Sequence, residues 1–117
     1  MTAQSTIARL SDILEAIENI STLTTDVSLE EFEGDWQKRW MVERGIEIIS
    51  EASRRLPDDL KARHPEIPWQ RVASIGNVLR HEYERVAPAI LWKVAQDELQ
   101  PLEEVCRIEL RQMTNPP

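Results

Sequence analysis

The stretch IGNVLRHEYERV, residues 75–86, concentrates side chains that could do chemistry. It holds one of the two histidines of the chain, the only tyrosine and two arginines: His81, Tyr83, Arg80 and Arg85. A histidine that titrates near neutrality can take a proton from an RNA 2′-hydroxyl or give one to a leaving oxygen. A neighbouring guanidinium can hold a phosphate and stabilise the charge that develops on it. The stretch therefore indicates acid–base chemistry on a phosphodiester as one interpretation.

Helical periodicity assigns these residues to two faces. At about 100° per residue, the apolar side carries Val72, Ile75, Leu79 and Val86, with Tyr83 near them. The opposite, polar side carries Ser74, Asn77, Arg80, His81 and Glu84. The same pattern is typical of a solvated helix face with an incidental histidine, so periodicity alone leaves both interpretations open. Tyr83 is equally consistent with half-buried packing, its hydroxyl at the surface.

Further helices must position this face, and their signals occur along the whole chain. Apolar residues at i, i+3, i+4 and i+7 spacing predict a helix over residues 6–20. SLEE at 28–31 predicts a capping box before a long helical region over 32–56. In that region Gly34 separates a short helix from a long one, and Trp36 and Trp40 are predicted on the inner side. Pro57 ends the region.

Prolines divide the second half of the chain. Pro68 suits the first turn of a helix that begins there. Pro88 interrupts that helix, a further helix is predicted over about 87–96, and Pro101 begins or kinks the last one. The sequence therefore predicts an all-α bundle of four to five main helices. It forms a single domain over residues 1–117, with a frayed tail from about residue 113.

Composition limits the classes of function. The 117 residues carry a net charge of −7, which argues against a whole-surface grip on nucleic acid. The single cysteine, Cys106, excludes an internal disulfide and is predicted as a buried thiol in a reducing compartment. The N-terminal residues lack a signal-peptide apolar region, and no apolar run approaches the length of about 20 residues that a membrane span needs. We expect a cytoplasmic protein.

Other catalytic classes lack their signatures. Two histidines and one cysteine, without HExxH or CxxC spacing, do not form a zinc site. The paired Glu-x-x-His arrangement of diiron bundles and a phosphate-binding glycine loop are also absent from the sequence. We expect no metal and no cofactor.

The ordered motifs resemble those of one known family. PEIPWQRVASIGNVLRHEYERV, residues 65–86, is similar to the signature Arg-Asn-x-x-x-His-x-Tyr in its peIPW context, as found in HepT-like proteins of the HEPN superfamily. Upstream, GIEIISEASRRLP at 45–57 resembles the family helix iGEAa…l. Downstream, PAILWKVAQDELQPLEEV at 88–105 resembles the segment ivWevv…dlp.L. The resemblance extends from about Ile7 to Leu110.

The resemblance implies a fold, an activity and partners. These proteins are α-helical toxins of toxin–antitoxin pairs that dimerise, and the two motifs form a metal-independent ribonuclease site in the dimer cleft. The antitoxin is a small nucleotidyltransferase that adenylylates the motif tyrosine. By this resemblance His81 is the catalytic acid/base, Tyr83 the adenylylation acceptor, and Asn77 a substrate-binding or orienting residue. The tryptophans of the chain are expected in the core or in dimer contacts.

One position departs from the family signature. The arginine five residues before the histidine is Gly76 here, and a close helix contact is one explanation for a glycine in a helix interior. Arg80 is predicted to supply the missing guanidinium, with Arg71 and Arg85 as weaker substitutes and Arg85 as a further substrate-binding candidate. Three functions follow. The chain is an endoribonuclease toxin, or it is a catalytically weakened module that binds a nucleotidyltransferase partner. The third is a helical structural subunit that does not act on nucleotides, and the order of the motifs argues against it.

Overall fold

Four long helical segments and two short helices make up the described part of the chain. The computed structural model describes residues 2–82 and 88–115, with their side chains except those at 78–82. No strand occurs among these residues. The elements are α1 Ala3–Thr24, α2 Leu29–Glu33, α3 Trp36–Arg54, α4 Asp58–Ala62, α5 Trp69–Glu82, α6 Pro88–Lys93, a π-helical segment Val94–Glu98, and α7 Leu99–Thr114. The predicted all-α bundle is confirmed.

Helix α1 lies between α3 and α7, and α3 in turn lies between α1 and α5. The inner rows of these helices form one core of aliphatic side chains with Phe32 and Cys106. Helices α1 and α3 run in opposite directions, because Ile20 contacts Gly45 and the Lys38 ammonium donates to the Leu23 carbonyl. Helix α3 thus packs against α1 and also against α5.

The break between α2 and α3 lies where the sequence places it. The Ser28 hydroxyl caps α2 by accepting the N–H of Glu31 at 3.1 Å. Gly34 ends this short helix, and the Asp35 carboxylate caps α3 by accepting the N–H of Lys38 at 3.1 Å. Two adjacent caps thus stop one helix and start the next within a few residues. After α3, Pro57 precedes α4 as predicted.

The prediction that Trp36 and Trp40 face inward is wrong. Trp36 is 52% exposed and Trp40 is 64% exposed, and their rings contact edge to face with centroids 4.9 Å apart. The inner side of α3 is set by Val42, Ile46 and Ile49, all buried. At about 100° per residue, positions 36 and 40 fall on the opposite side of the helix. The two indoles therefore form an exposed aromatic pair.

The prediction that Pro101 begins or kinks the last helix is confirmed, because Pro101 lies in the first turn of α7, Leu99–Thr114. The chain is helical from Pro88 to Thr114. A π-helical segment, Val94–Glu98, comes directly before α7. In a regular α-helix the Pro101 ring would meet the carbonyl of Asp97, and the wider turn falls at that point. Within the described residues, no helix combines the length and apolar character that crossing a membrane requires.

Candidate functional site

Helix α5 carries part of the predicted site on its last two turns. Asn77 and Ser74 are exposed, which confirms the polar face over the residues where it can be observed. Asn77 and His81 are four residues apart on one helix, so their backbone positions lie one turn apart on the same face. The side chains of Arg80 and His81 lie outside those that the structure describes. Tyr83 and Arg85 lie outside the described residues altogether.

Gly76 lies against α3, at the closest approach of the two helices. A Cβ atom built on Gly76 would fall 2.8 Å from both Cβ and Oγ of Ser50. Real Cβ atoms do not come so close to other heavy atoms, so a side chain at position 76 would force the helices apart. The prediction that a close helix contact explains this glycine is confirmed.

Ser50 connects the two helices by hydrogen bonds as well as by contact. Its hydroxyl, 1% exposed, donates to the carbonyl of Ala73 at 2.6 Å and accepts the N–H of Gly76 at 3.3 Å. In the family pattern iGEAa, the residue that corresponds to Ser50 is a glycine. This chain therefore has its small residue on α5 and its hydroxyl on α3 at the same contact. Sequence reasoning did not identify Ser50 as a neighbour of the motif.

Arg54 approaches α5 from α3 next to this contact. Its Nε donates to the Ala73 carbonyl at 3.0 Å, and its Nη2 lies 3.4 Å from the Ser50 hydroxyl. The Nη1 atom is 3.6 Å from a carboxylate oxygen of Glu51, and the side chain is 37% exposed. The structure thus places one guanidinium against α5 within one turn of Gly76.

Arg71 is directed elsewhere. Its Nη2 forms an ion pair at 2.5 Å with Glu98, which belongs to the π-helical segment. Both residues border an apolar cavity of about 230 Å³ between α5 and the C-terminal helices, lined also by Val72 and Ile75. Val72 and Ile75 belong to the apolar side of α5. The ion pair therefore holds the Arg71 guanidinium near that side, away from the helix face that carries Asn77. Arg71 is therefore a poor substitute for the missing arginine.

A second ionic cluster, which sequence reasoning missed, lies at the start of α5. Glu109 is 3% exposed and accepts hydrogen bonds from Arg63 at 2.7 Å and from His64 at 2.6 Å. The Arg63 hydrogen bond holds the pKa of the Glu109 carboxyl below its usual value, against the opposing effect of burial. The Trp69 indole N–H donates to the carbonyls of Lys61 and His64. The cluster fixes the loop that leads into α5.

The single cysteine is part of the core. Burial raises the pKa of the Cys106 thiol to about 12, so it is a neutral core group at physiological pH, as predicted. Among the described residues, no three metal-ligating side chains come together.

Comparisons with known proteins agree with this assignment of the fold. Residues 13–108 match the family described as Ribonuclease HepT-like. A Thermococcus cleftensis protein named Probable ribonuclease HepT is 40% identical over 94 residues, which cover 80% of this chain and 86% of that protein. A Methanocaldococcus jannaschii protein, named provisionally as an RNase, is 32% identical over 101 residues, covering 86% of this chain and 93% of its own. No solved structure gives a significant match.

Proposed function

The chain belongs to the HepT-like ribonuclease family, and we propose that it is the toxin of a toxin–antitoxin pair, an endoribonuclease that cleaves RNA without a metal ion. The observation that carries the proposal is the family match over residues 13–108. The polar face of α5 supports it, since Asn77 is exposed there and His81 follows one turn later. Ser74 on the same polar side is exposed as well.

In the proposed reaction His81 is the general acid and base. It takes the proton of an RNA 2′-hydroxyl while that oxygen attacks phosphorus, and a proton is returned to the departing 5′-oxygen. The P–O5′ bond breaks as the new P–O2′ bond forms, which gives a 2′,3′-cyclic phosphate and a free 5′-hydroxyl. Arg80 stabilises the charge on the phosphate oxygens. Asn77 and Arg85 bind or orient the substrate.

We further propose that two copies of the chain form the RNA cleft between them. The exposed pair Trp36 and Trp40 supports self-association, because neighbouring aromatic side chains at a surface are typical of interface centres. Met41, 56% exposed, extends this surface toward a groove between α1 and α3. In this proposal a nucleotidyltransferase antitoxin binds the toxin and adenylylates Tyr83, which blocks the site. We place the pair in the cytoplasm.

One observation favours a second candidate function. Gly76 is packed against Ser50, so position 76 carries no guanidinium and has no room for one. If neither Arg80 nor another arginine replaces it, the chain is a binding module that forms a complex with the nucleotidyltransferase without cleaving RNA. The two candidates share the fold and the partner and differ in catalysis.

Cleavage of a mixed RNA substrate in excess chelator separates them. We expect the wild type to cut, and we expect His81→Ala and Arg80→Ala to lose activity by about 10²-fold or more. His64→Gln replaces the other histidine of the chain and is the matched control, which should retain cleavage below its melting temperature. An intact substrate at high wild-type concentration would reject the nuclease, and a stable complex with the nucleotidyltransferase would then support the binding module.

A further inference from the structure

We propose that Arg54 of α3 binds an RNA phosphate and supplies, from the neighbouring helix, the guanidinium that α5 lacks at Gly76. The proposal rests on the ribonuclease function proposed above. It assigns a substrate-binding role to a residue outside the α5 motif. It also gives the glycine at position 76 a functional consequence, since the glycine lets α3 approach closely enough for Arg54 to reach α5.

The Arg54 guanidinium meets α5 close to Gly76. In an α-helix the carbonyl of residue 73 points toward the N–H of residue 77, so the Ala73 oxygen lies between the levels of these two residues. Arg54 Nε is 3.0 Å from that oxygen, and Arg54 Nη2 is 3.4 Å from the Ser50 Oγ that accepts the Gly76 N–H. The guanidinium therefore reaches α5 within one turn of position 76, where the family signature has its arginine, and position 76 is about 7.5 Å along the axis from position 81.

Arg54 contacts α5 on the row of positions that includes Asn77 and His81. Residues 73, 77 and 81 follow one another at intervals of four, so they form one row along the helix. Arg54 contacts the first position of this row at Ala73, Asn77 occupies the second, and His81 occupies the third. A phosphate held by Arg54 beside Asn77 would thus lie along the row that leads to the proposed acid/base.

The Arg54 side chain is held in one orientation. The Ala73 carbonyl and the Ser50 hydroxyl hold one edge of the guanidinium, at 3.0 Å and 3.4 Å. The side chain is still 37% exposed, so part of the group remains accessible to a ligand. An arginine held in this way loses little conformational freedom when it binds a phosphate. The Glu51 carboxylate at 3.6 Å is a weak competitor, since exposed ion pairs of this kind contribute little.

Arg55 provides a matched control. It is the next residue, it is 54% exposed, and its Nε donates to the same Glu51 at 3.0 Å. Arg54→Gln keeps a neutral donor that can bond to the Ala73 carbonyl but removes the charge. Arg55→Gln removes one charge from the same end of α3. The two variants therefore have equal net charge and differ in whether the lost guanidinium lay against α5.

The experiment measures binding of single-stranded RNA as a function of salt, in the His81→Ala background so that the RNA stays intact. One lost phosphate contact lowers the slope of log K against log salt by about 0.7 for a single strand. We expect that decrease for Arg54→Gln, a near-normal slope for Arg55→Gln, and recovery of the slope with Arg54→Lys. With His81 present, we expect Arg54→Gln to reduce cleavage by about 10²-fold.

The outcomes separate this proposal from the one on which it depends. Equal slopes and equal cleavage for Arg54→Gln and Arg55→Gln, with an active wild type, would leave the nuclease intact and overturn the role of Arg54. Reduced cleavage with an unchanged slope and a lower melting temperature would assign Arg54 a structural role only, and would also overturn it. A wild type that neither binds nor cleaves RNA would reject both proposals.

Discussion

The contact between Gly76 and Ser50 can be tested by adding one carbon atom. In Gly76→Ala the new Cβ falls 2.8 Å from two atoms of Ser50, and one of them, Cβ, cannot rotate away. Overpacking of this kind costs about 1–3 kcal/mol. Alanine is better than glycine in a helix interior by about 1 kcal/mol, which offsets part of that cost. The free energy of unfolding should therefore fall by about 0–2 kcal/mol in the single variant.

Gly76→Ala should instead raise the free energy of unfolding when residue 50 is replaced by glycine. In Ser50→Gly both close atoms are gone, and the next nearest atom to the new Cβ is Glu47 Cα at an ordinary 3.6 Å. Gly76→Ala should then stabilise the protein by about 1 kcal/mol, as expected from helix propensity alone. The two positions should consequently be coupled by about 1–3 kcal/mol.

Urea denaturation of the four proteins of this cycle, at one protein concentration, measures the coupling. Gly34→Ala is the control, because a Cβ there would meet only the Glu30 and Glu31 carbonyls at 3.7 and 3.8 Å. We expect that variant to be neutral or slightly stabilised. A coupling below about 0.5 kcal/mol would refute the close contact between the helices and, with it, the explanation of Gly76.

Two further perturbations test the ionic cluster and the aromatic pair. Glu109→Gln should lower stability by about 1–3 kcal/mol at pH 7. Because its folded pKa is lowered, the stabilisation from Glu109 is present above the unfolded value near 4.3 and is lost as pH falls through the folded pKa. The difference from wild type in urea unfolding should shrink below about pH 4, and a constant difference would contradict this. Trp40→Ala should weaken self-association about 30-fold in analytical ultracentrifugation. A wild-type chain that is monomeric at high concentration would contradict the dimer.

Local signals predicted the element boundaries well. The cap at Ser28, the break at Gly34 and the boundary at Pro57 each act within a few residues, so the sequence alone identifies them. The exposed face of α5 was likewise predicted at Asn77 from helical periodicity. These features depend on the chain's own backbone rather than on a distant contact, which is why they can be read without a structure.

Trp36 and Trp40 were misplaced for a local reason, since they were assigned inward as large apolar residues although the helical phase of the buried positions on α3 puts them on the opposite side. Features that depend on distant contacts were missed. In the sequence Glu109 is one of many acidic residues, because its partners Arg63 and His64 lie more than 40 residues away along the chain. The helix start at Pro101 was predicted, but the π-helical segment before it was not, since a proline signals a boundary and not the shape of the preceding turn.

Gly76 shows how a departure from a motif depends on its neighbour in space. On the sequence alone, the missing arginine suggests a weakened site or a replacement from Arg80 on the same helix. The structure adds that Ser50 fills the space beside Gly76 and that Arg54, one turn further along α3, bonds to α5 within one turn of Gly76. Restoring arginine at position 76 therefore requires Ser50→Gly as well. If Arg54 has taken over the phosphate, adding Ser50→Gly and Gly76→Arg to the Arg54→Gln protein should recover the cleavage that Arg54→Gln loses. If cleavage does not recover in a protein that folds and binds RNA, the two guanidinium groups are not equivalent, and Gly76 only marks a change in helix packing.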